Sequence, residues 1–486
     1  AAAGKPAEAE PEEEGENVGK KKRKRRAYEK EVQELKAGSP KVPAAVGDRR
    51  PESNLPPAKS IFEASERREG NAGARTGLLL GMPTPAFVVL TSRGMPLHLR
   101  PQALAELLPD TQLFELCVGD ALPRQESVAG CPGGPEGGCR AFWPYLEGHR
   151  SYCAFRNARL PMSIHGGDSL CSVETTGGRR KVGPKELLGV QRAMRMDIVA
   201  APGEDVPLEV TALRRLSRAV VRAGDWLKEI LEAKAAEPGL GFDWHVLASI
   251  QGGGNTKLRQ KACQDAASMP VAGVWIGGLG YDESLAARAR VLETCAGALP
   301  PALPRFLPLN AGSPVEVLQA VLMGVDVFEM AYPMQLASQG VALLFSCDMP
   351  AAGADAVGAE AEAEALRCLL PQPEEKEPAQ PPAAVKQLHL RAPELKEDFG
   401  PISEDSPVRQ YSRAYLYHLM EVRELLGTML LAQHNLHRYN ALFNAIRAHT
   451  NQGTLGRFAA WFLRTQTCDD VPAVPQDGLR KRSRKC

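Results

Sequence analysis

Apolar positions along residues 304–346 recur as a short run, then at helical spacing, then as a run again. The first run ends at Leu309, Ser313-Pro314 supplies a helix start, and Val317, Leu318, Val321 and Leu322 fall on one helical face. A second run, Val325 to Phe328, delivers Glu329 at its carboxyl end. Similar units precede it. His245–Ile250 reads as a strand ending in Gln251-Gly252-Gly253-Gly254 and feeding a helix through Ala266. Val271–Ile276 ends in Gly277-Gly278-Leu279 and feeds a helix over Glu283–Cys295, and Arg305–Leu309 ends in Asn310-Ala311-Gly312. Strands alternating with helices at roughly 30-residue spacing imply parallel pairing, and the repetition predicts an α/β fold built as a (β/α)8 barrel. In such a barrel the carboxyl ends of the strands carry the chemistry, which makes Glu329 the first residue to watch.

Elsewhere the pattern is less regular. Apolar runs Leu78–Leu80 and Phe87–Leu90 flank a predicted turn at Pro83/Pro85, with order expected to begin near Gly77. Residues 128–140 read as a Gly/Pro loop. Leu213, Leu216, Val220, Leu227 and Leu231 form one face of a helix, with Arg214, Arg215, Arg218 and Arg222 opposite. That arginine face suits phosphate, although an ordinary solvated face has the same pattern. Past residue 398, Tyr415, Leu419, Val422, Leu426 and Met429 form one stripe, and a second helix is expected after His434-Asn435. The domain reading is a charged, disordered tail over 1–70, the barrel over 75–348, and an acidic Ala/Glu/Pro linker over 349–397. A C-terminal helical module over 398–465 and a basic tail over 466–486 complete it.

Composition changes little in this picture. At 486 residues and 44% apolar, the chain can bury a full barrel core. Net charge is +1, but Lys20 to Arg26 are seven consecutive basic residues, and Arg480, Lys481, Arg482, Arg484 and Lys485 crowd the other end. Such runs do not pack; they suit nuclear import, non-specific RNA binding or solubility. Neither a secretory signal nor a membrane span is read, and eleven scattered cysteines with no C-x-x-C fit an intracellular protein of the cytoplasm or nucleus. Cys131 and Cys139 bracket a Gly-Pro loop too weakly patterned for a metal site. No G-x-G-x-x-G follows a strand, and the Gln251-Gly252-Gly253-Gly254 turn lacks the Lys-Ser/Thr of a phosphate loop.

Several segments together resemble the tRNA-guanine transglycosylase family. They are Thr84 to Phe87 after a Gly/Pro turn, the Q-G-G and G-G-L turns, G-V-D-V-F-E ending at Glu329, and Ser412 to Asn435 with its S-R-A-Y and H-N. The resemblance implies a barrel with a zinc-braced C-terminal helical module that also forms the dimer. It further implies exchange of a tRNA wobble guanine for a 7-deazaguanine base, queuine, by a nucleophilic Asp with a second Asp moving the proton.

Residue by residue, the chain departs from what the resemblance implies. Glu329 stands at the nucleophile position. Residues 105–125 hold no match for the segment with the proton-transferring Asp, and Gly203 falls where a carboxylate would grip the base. Gln251, Gly252 and Gly278 remain as base-contacting positions. Gln335 and Ser338 replace two tRNA-gripping arginines. The three zinc cysteines fall at Ser403, Asp405 and Val408, with only His434 kept, so the zinc site is degenerate. No cofactor is expected in this chain, zinc being expected in a catalytic partner instead, and the C-terminal helices are expected to be held by apolar packing. The leading reading is a non-catalytic subunit that pairs with a catalytic transglycosylase through the Tyr415–Met429 stripe and helps hold tRNA. An active enzyme using Glu329, and an RNA-binding or assembly protein on the same barrel, remain alternatives.

Overall fold

In the computed structural model the described residues are 55–66, 68–97, 99–145, 148–157, 165–166, 170–236, 242–309, 312–350, 358–371 and 384–468. The basic runs at both ends, the tail before residue 55, and Asn310 and Ala311 lie outside them.

Eight parallel strands close into a barrel: β1 (Ala86–Ser92), β2 (Leu113–Glu115), β3 (Arg150–Cys153), β4 (Ile198–Ala200), β5 (His245–Ile250), β6 (Gly273–Ile276), β7 (Arg305–Leu309) and β8 (Val327–Met330). Each pairs with the next, and β8 returns to β1 with Glu329 opposite Val88. The strands are short apolar runs because both faces are covered. One face turns inward: Val88, Leu113, Tyr152, Ile198, Leu247, Trp275, Phe306 and Val327 fill the barrel axis. The other, including Phe87, Val246, Val274, Leu307 and Phe328, packs against the surrounding helices.

The chain is ordered earlier than the pattern suggests. Phe62–Ala64, Gly77–Leu79 and Met82–Thr84 form an antiparallel sheet, and Ile61, Phe62, Leu79 and Met82 join the axial core. The hairpin turns at Leu80-Gly81, both at positive φ, and not at the prolines, which sit in or just after the second strand. Asp326 of the G-V-D motif is structural. It takes two hydrogen bonds from the buried Arg75 guanidinium, at 2.8 and 2.7 Å, and one from the Arg305 amide.

The long arginine-bearing helix spans Leu213–Ala236 with Leu216, Val220, Leu227 and Leu231 buried as expected. Two of its arginines are already engaged, Arg215 and Arg222 each pairing with Glu204 at 3.0 and 2.9 Å. Within the segment read as linker, Ala359–Leu369 is a helix packed on helices Leu285–Ala298, Pro314–Leu322 and Leu455–Thr465, with Leu369 fully buried. Gln387–His389 pairs with Val341–Leu343 in a two-stranded sheet.

The C-terminal helices divide differently from the expectation. Arg413–Glu421 ends where Arg423 takes positive φ, and one helix then runs unbroken from Leu425 to Gln452, through His434-Asn435. This helix docks by an aromatic cluster, with Phe443 5.1 Å from Phe87 and 5.7 Å from Phe328. Asn435 clamps the strand Val341–Leu343: its amide donates to Pro333 and Val341 carbonyls, and its oxygen accepts from the Leu343 amide.

Candidate functional site

Glu329 is the third residue of β8, and strand alternation turns its side chain into the axis with Val327. It is fully buried. Oε1 accepts from the Tyr152 hydroxyl of β3 at 2.5 Å and from the Trp275 indole of β6 at 2.7 Å, while Oε2 has no partner among the described residues. Burial pushes its pKa up to about 7, against the pull of these two donors. A nucleophile must present an oxygen to the reacting carbon at about 3–3.5 Å. Glu329 instead has one oxygen engaged by an indole and a phenol, and the whole side chain is out of solvent.

The predicted base contacts are brought together at the carboxyl ends of β5 and β6. Gln251 is fully buried, its amide donating to Ser249 Oγ at 3.0 Å, and its Oε1 has no partner among the described residues. Gly252 turns the chain at positive φ, and Arg259 braces that turn through the Ile250 and Gly253 carbonyls, both at 2.9 Å. A Cβ at Gly203 would overlap Ser249 Oγ and come within 2.9 Å of Gln251 Nε2, so a side chain there would require both to move. A carboxylate nevertheless lies close by, outside the position where the resemblance places the loss. Asp205, two residues on and fully buried, accepts from the Gly278 amide, from the Tyr281 hydroxyl at 2.5 Å and from Arg156 at 3.1 Å. The stretch without a proton-transfer motif also holds an inward carboxylate, Glu115 of β2, which is buried and in register with Tyr152. The run Gly203-Glu204-Asp205 was a signal for the first; for Glu115 only strand alternation points inward.

Gln335 and Ser338 lie on the helix Tyr332–Gln339, Ser338 exposed and donating to the Gln335 carbonyl at 2.7 Å. Neither side chain supplies a cation for phosphate.

At the C-terminal corner the zinc positions do not fit a metal. His434 is fully buried with both nitrogens engaged, Nδ1 with Ser406 Oγ at 2.9 Å and Nε2 with the Leu343 carbonyl at 2.7 Å, and burial lowers its pKa to about 4. Val408 is an apolar core residue. Asp405 and Ser403 both accept from the Arg438 guanidinium, at 2.6 Å to Asp405 Oδ2 and 2.7 Å to Ser403. Among the described residues no cluster of three or more His, Cys, Asp or Glu suits a metal. The corner is therefore held by an ion pair besides its apolar cluster of Leu416, Leu419, Met420, Leu430 and Leu431, which corrects the expectation of apolar packing alone.

The predicted interface stripe is split by the turn at Val422–Glu424. Leu419 faces the module's own core and Met429 is half-buried. Tyr415, Val422 and Leu426 are exposed, joined by two residues that the helical pattern missed: Leu425 at 56% and Phe399 at 80%. Among the described residues no helix is long and apolar enough to cross a membrane.

The queuine tRNA-ribosyltransferase family profile matches residues 72–467. A Xenopus tropicalis protein named queuine tRNA-ribosyltransferase accessory subunit 2 is 26% identical over 413 residues, covering 80% of this chain and 96% of that one. The human protein of the same name is 27% identical over 62% of this chain and 77% of its own. A queuine tRNA-ribosyltransferase of Bacillus mycoides is 27% identical over 59% of this chain and 65% of its own. With a closed eight-stranded barrel and a match over most of its length, the chain belongs to the queuine tRNA-ribosyltransferase family.

Proposed function

We propose that this chain is the non-catalytic subunit of a two-chain enzyme that exchanges guanine for queuine at the wobble position of tRNA. The observation that carries this reading is the seal around Glu329: full burial, with one oxygen fixed by Tyr152 and Trp275. Loss of proton transfer at its usual place would by itself cost about 10²–10⁴-fold. The name accessory subunit 2, borne by the Xenopus and human relatives, supports the same role. The partner is a catalytic chain of the same family, which carries the zinc, while this chain carries none. Phe399, Tyr415, Val422, Leu425 and Leu426 are the docking anchors, in place of the stripe first read. The basic runs are left to reach tRNA or import machinery, and the complex works in the cytoplasm or nucleus. A second reading rests on Glu115 and Glu329, two inward carboxylates of the same barrel, as an active pair.

Labelled-guanine exchange separates the two. The purified chain alone is expected to give no exchange, and the chain with its catalytic partner full exchange, unchanged by Glu329→Gln. Robust exchange by the isolated chain, lost in Glu329→Gln, would establish the second reading instead. For the interface, Leu425→Asp with Leu426→Asp is expected to abolish co-purification while leaving the far-ultraviolet spectrum and melting of the isolated chain unchanged, since both side chains are exposed. Retention of the complex at full activity would move the interface elsewhere.

A further inference from the structure

The loops at the carboxyl ends of β3, β4 and β6 converge on one group that the reading above leaves unused, the guanidinium of Arg156. It is 1% exposed, with its Asp205 partner at 0%. Nη1 donates to Asp205 Oδ2 at 3.1 Å and to the Leu279 carbonyl at 2.6 Å, and Nη2 donates to the Gly280 carbonyl at 3.2 Å. Its central carbon lies 4.0 Å from the centroid of the Tyr281 ring. Asp205 is itself fixed by the Gly278 amide and the Tyr281 hydroxyl, so its orientation does not depend on Arg156 alone.

These parts make a seat of definite chemistry. One carboxylate and two backbone carbonyls accept along an edge, and an aromatic ring covers a face. A planar N–C–N group with donors on its edge satisfies both, whether it is a guanidinium, an amidine or the N1–N2 edge of guanine. A compact ammonium fills the acceptors but offers no plane to the ring. Gly278 belongs to both the seat and the base-contacting positions that the family resemblance implies, so the seat adjoins or coincides with a base pocket.

We propose that the barrel mouth is a seat for a planar N–C–N donor edge, and that the chain occupies it with its own Arg156, excluding free bases. The seat stands on its contacts; only the identification of the excluded ligand as a base rests on the proposed function. The occupied seat also explains how Asp205 is kept out of solvent. It has a neutralising cation of the right shape built in.

The test uses the full chain without partner or tRNA, so its result is independent of co-purification, which judges the subunit reading. In equilibrium dialysis, wild type is expected to retain neither guanine nor 7-deazaguanine. Arg156→Ala is expected to gain a millimolar site for guanidinium, read as an upward melting shift at sub-denaturing guanidinium chloride that equal ammonium chloride does not give. It is also expected to bind 7-deazaguanine at least tenfold more tightly than wild type. One equivalent of 7-deazaguanine bound by wild type, or a folded Arg156→Ala that treats guanidinium and ammonium alike, overturns the proposal. Should Arg156→Ala fail to fold, phenylglyoxal labelling of native wild type decides. Protection of Arg156 while exposed arginines such as Arg218 are modified supports the internal occupant, and rapid modification of Arg156 sinks it.

Discussion

The barrel mouth and the C-terminal corner each hold an arginine–aspartate pair where the family resemblance implies a ligand, and they hold it differently. Arg156 and Asp205 are both out of solvent, whereas Arg438 is 7% exposed and its partner Asp405 57%. The mouth sets its pair between β3, β4 and β6 loops, with backbone carbonyls and a tyrosine completing the shell. The corner pins one loop, Ser403 to Asp405, onto the helix Leu425–Gln452. A desolvated charge cannot fall back on water when its partner leaves; a half-exposed one can. The mouth is thus a rigid plug and the corner a surface clasp.

Breaking the buried pair should give the largest effect. Asp205→Ala leaves the Arg156 charge sealed without its carboxylate and is expected to cost about 3–5 kcal/mol in urea unfolding. A loss below about 1 kcal/mol would mean that water reaches this pair and that the contrast with the corner is false.

The two regions should also respond to acid with opposite signs. Burial raises Glu329 at the mouth to about 7, above the unfolded value of about 4.3. Its contribution is therefore complete below about 4.3 and is lost as pH rises to about 7. Burial lowers His434 at the corner to about 4, below the unfolded value of about 6.5. The unfolded chain then binds the extra proton, so stability is complete above about 6.5 and is lost as pH falls toward 4. Each effect is on the order of 3 kcal/mol, and in wild type they oppose one another between pH 4 and 7. Glu329→Gln should uncover a stability that falls with acid, and His434→Gln one that rises with acid. Denaturant midpoints across that range that slope the same way in both variants would refute the assignment.

The contrast was only half legible in the sequence. The barrel could be read because parallel strands buried on both faces leave apolar runs, and β5 and β7 start and stop at the residues expected. Glu329 was legible for the same reason, at the end of such a run. The sheet from Phe62 was not, since three-residue strands carry too little periodicity to register. Nor was the break at Arg423, where a non-glycine residue takes positive φ without any compositional sign. Both arginine pairs escaped because they join positions 49 and 33 residues apart, and a lone Arg or Asp says nothing about which partner folding will bring to it. Losses of expected ligands show in a sequence; what fills the space they leave shows only in the fold.

The smallest effect is expected at the clasp, and there the chemistry of replacement is most exposed to test. Burial tends to raise the Asp405 carboxyl, but hydrogen bonds and charge from Arg438 outweigh it and hold the group below the usual carboxylate range. Stability from this pair is present above the unfolded value of about 3.9 and is lost only as pH falls below it. Because Asp405 is more than half exposed, solvent screens much of the attraction, and Arg438→Ala should cost only about 1 kcal/mol. Salt should weaken the wild-type pair and leave the variant unaffected. If Arg438 serves as the cation of this corner, a chelator should change neither melting nor metal content, because nothing is there to remove. A structural zinc would reverse both outcomes. Its removal would unfold the corner, and its binding free energy would dwarf the effect of Arg438→Ala. Elemental analysis that finds about one zinc per chain, lost together with stability on chelation, would therefore show the clasp to be an accompaniment to a metal and not its substitute.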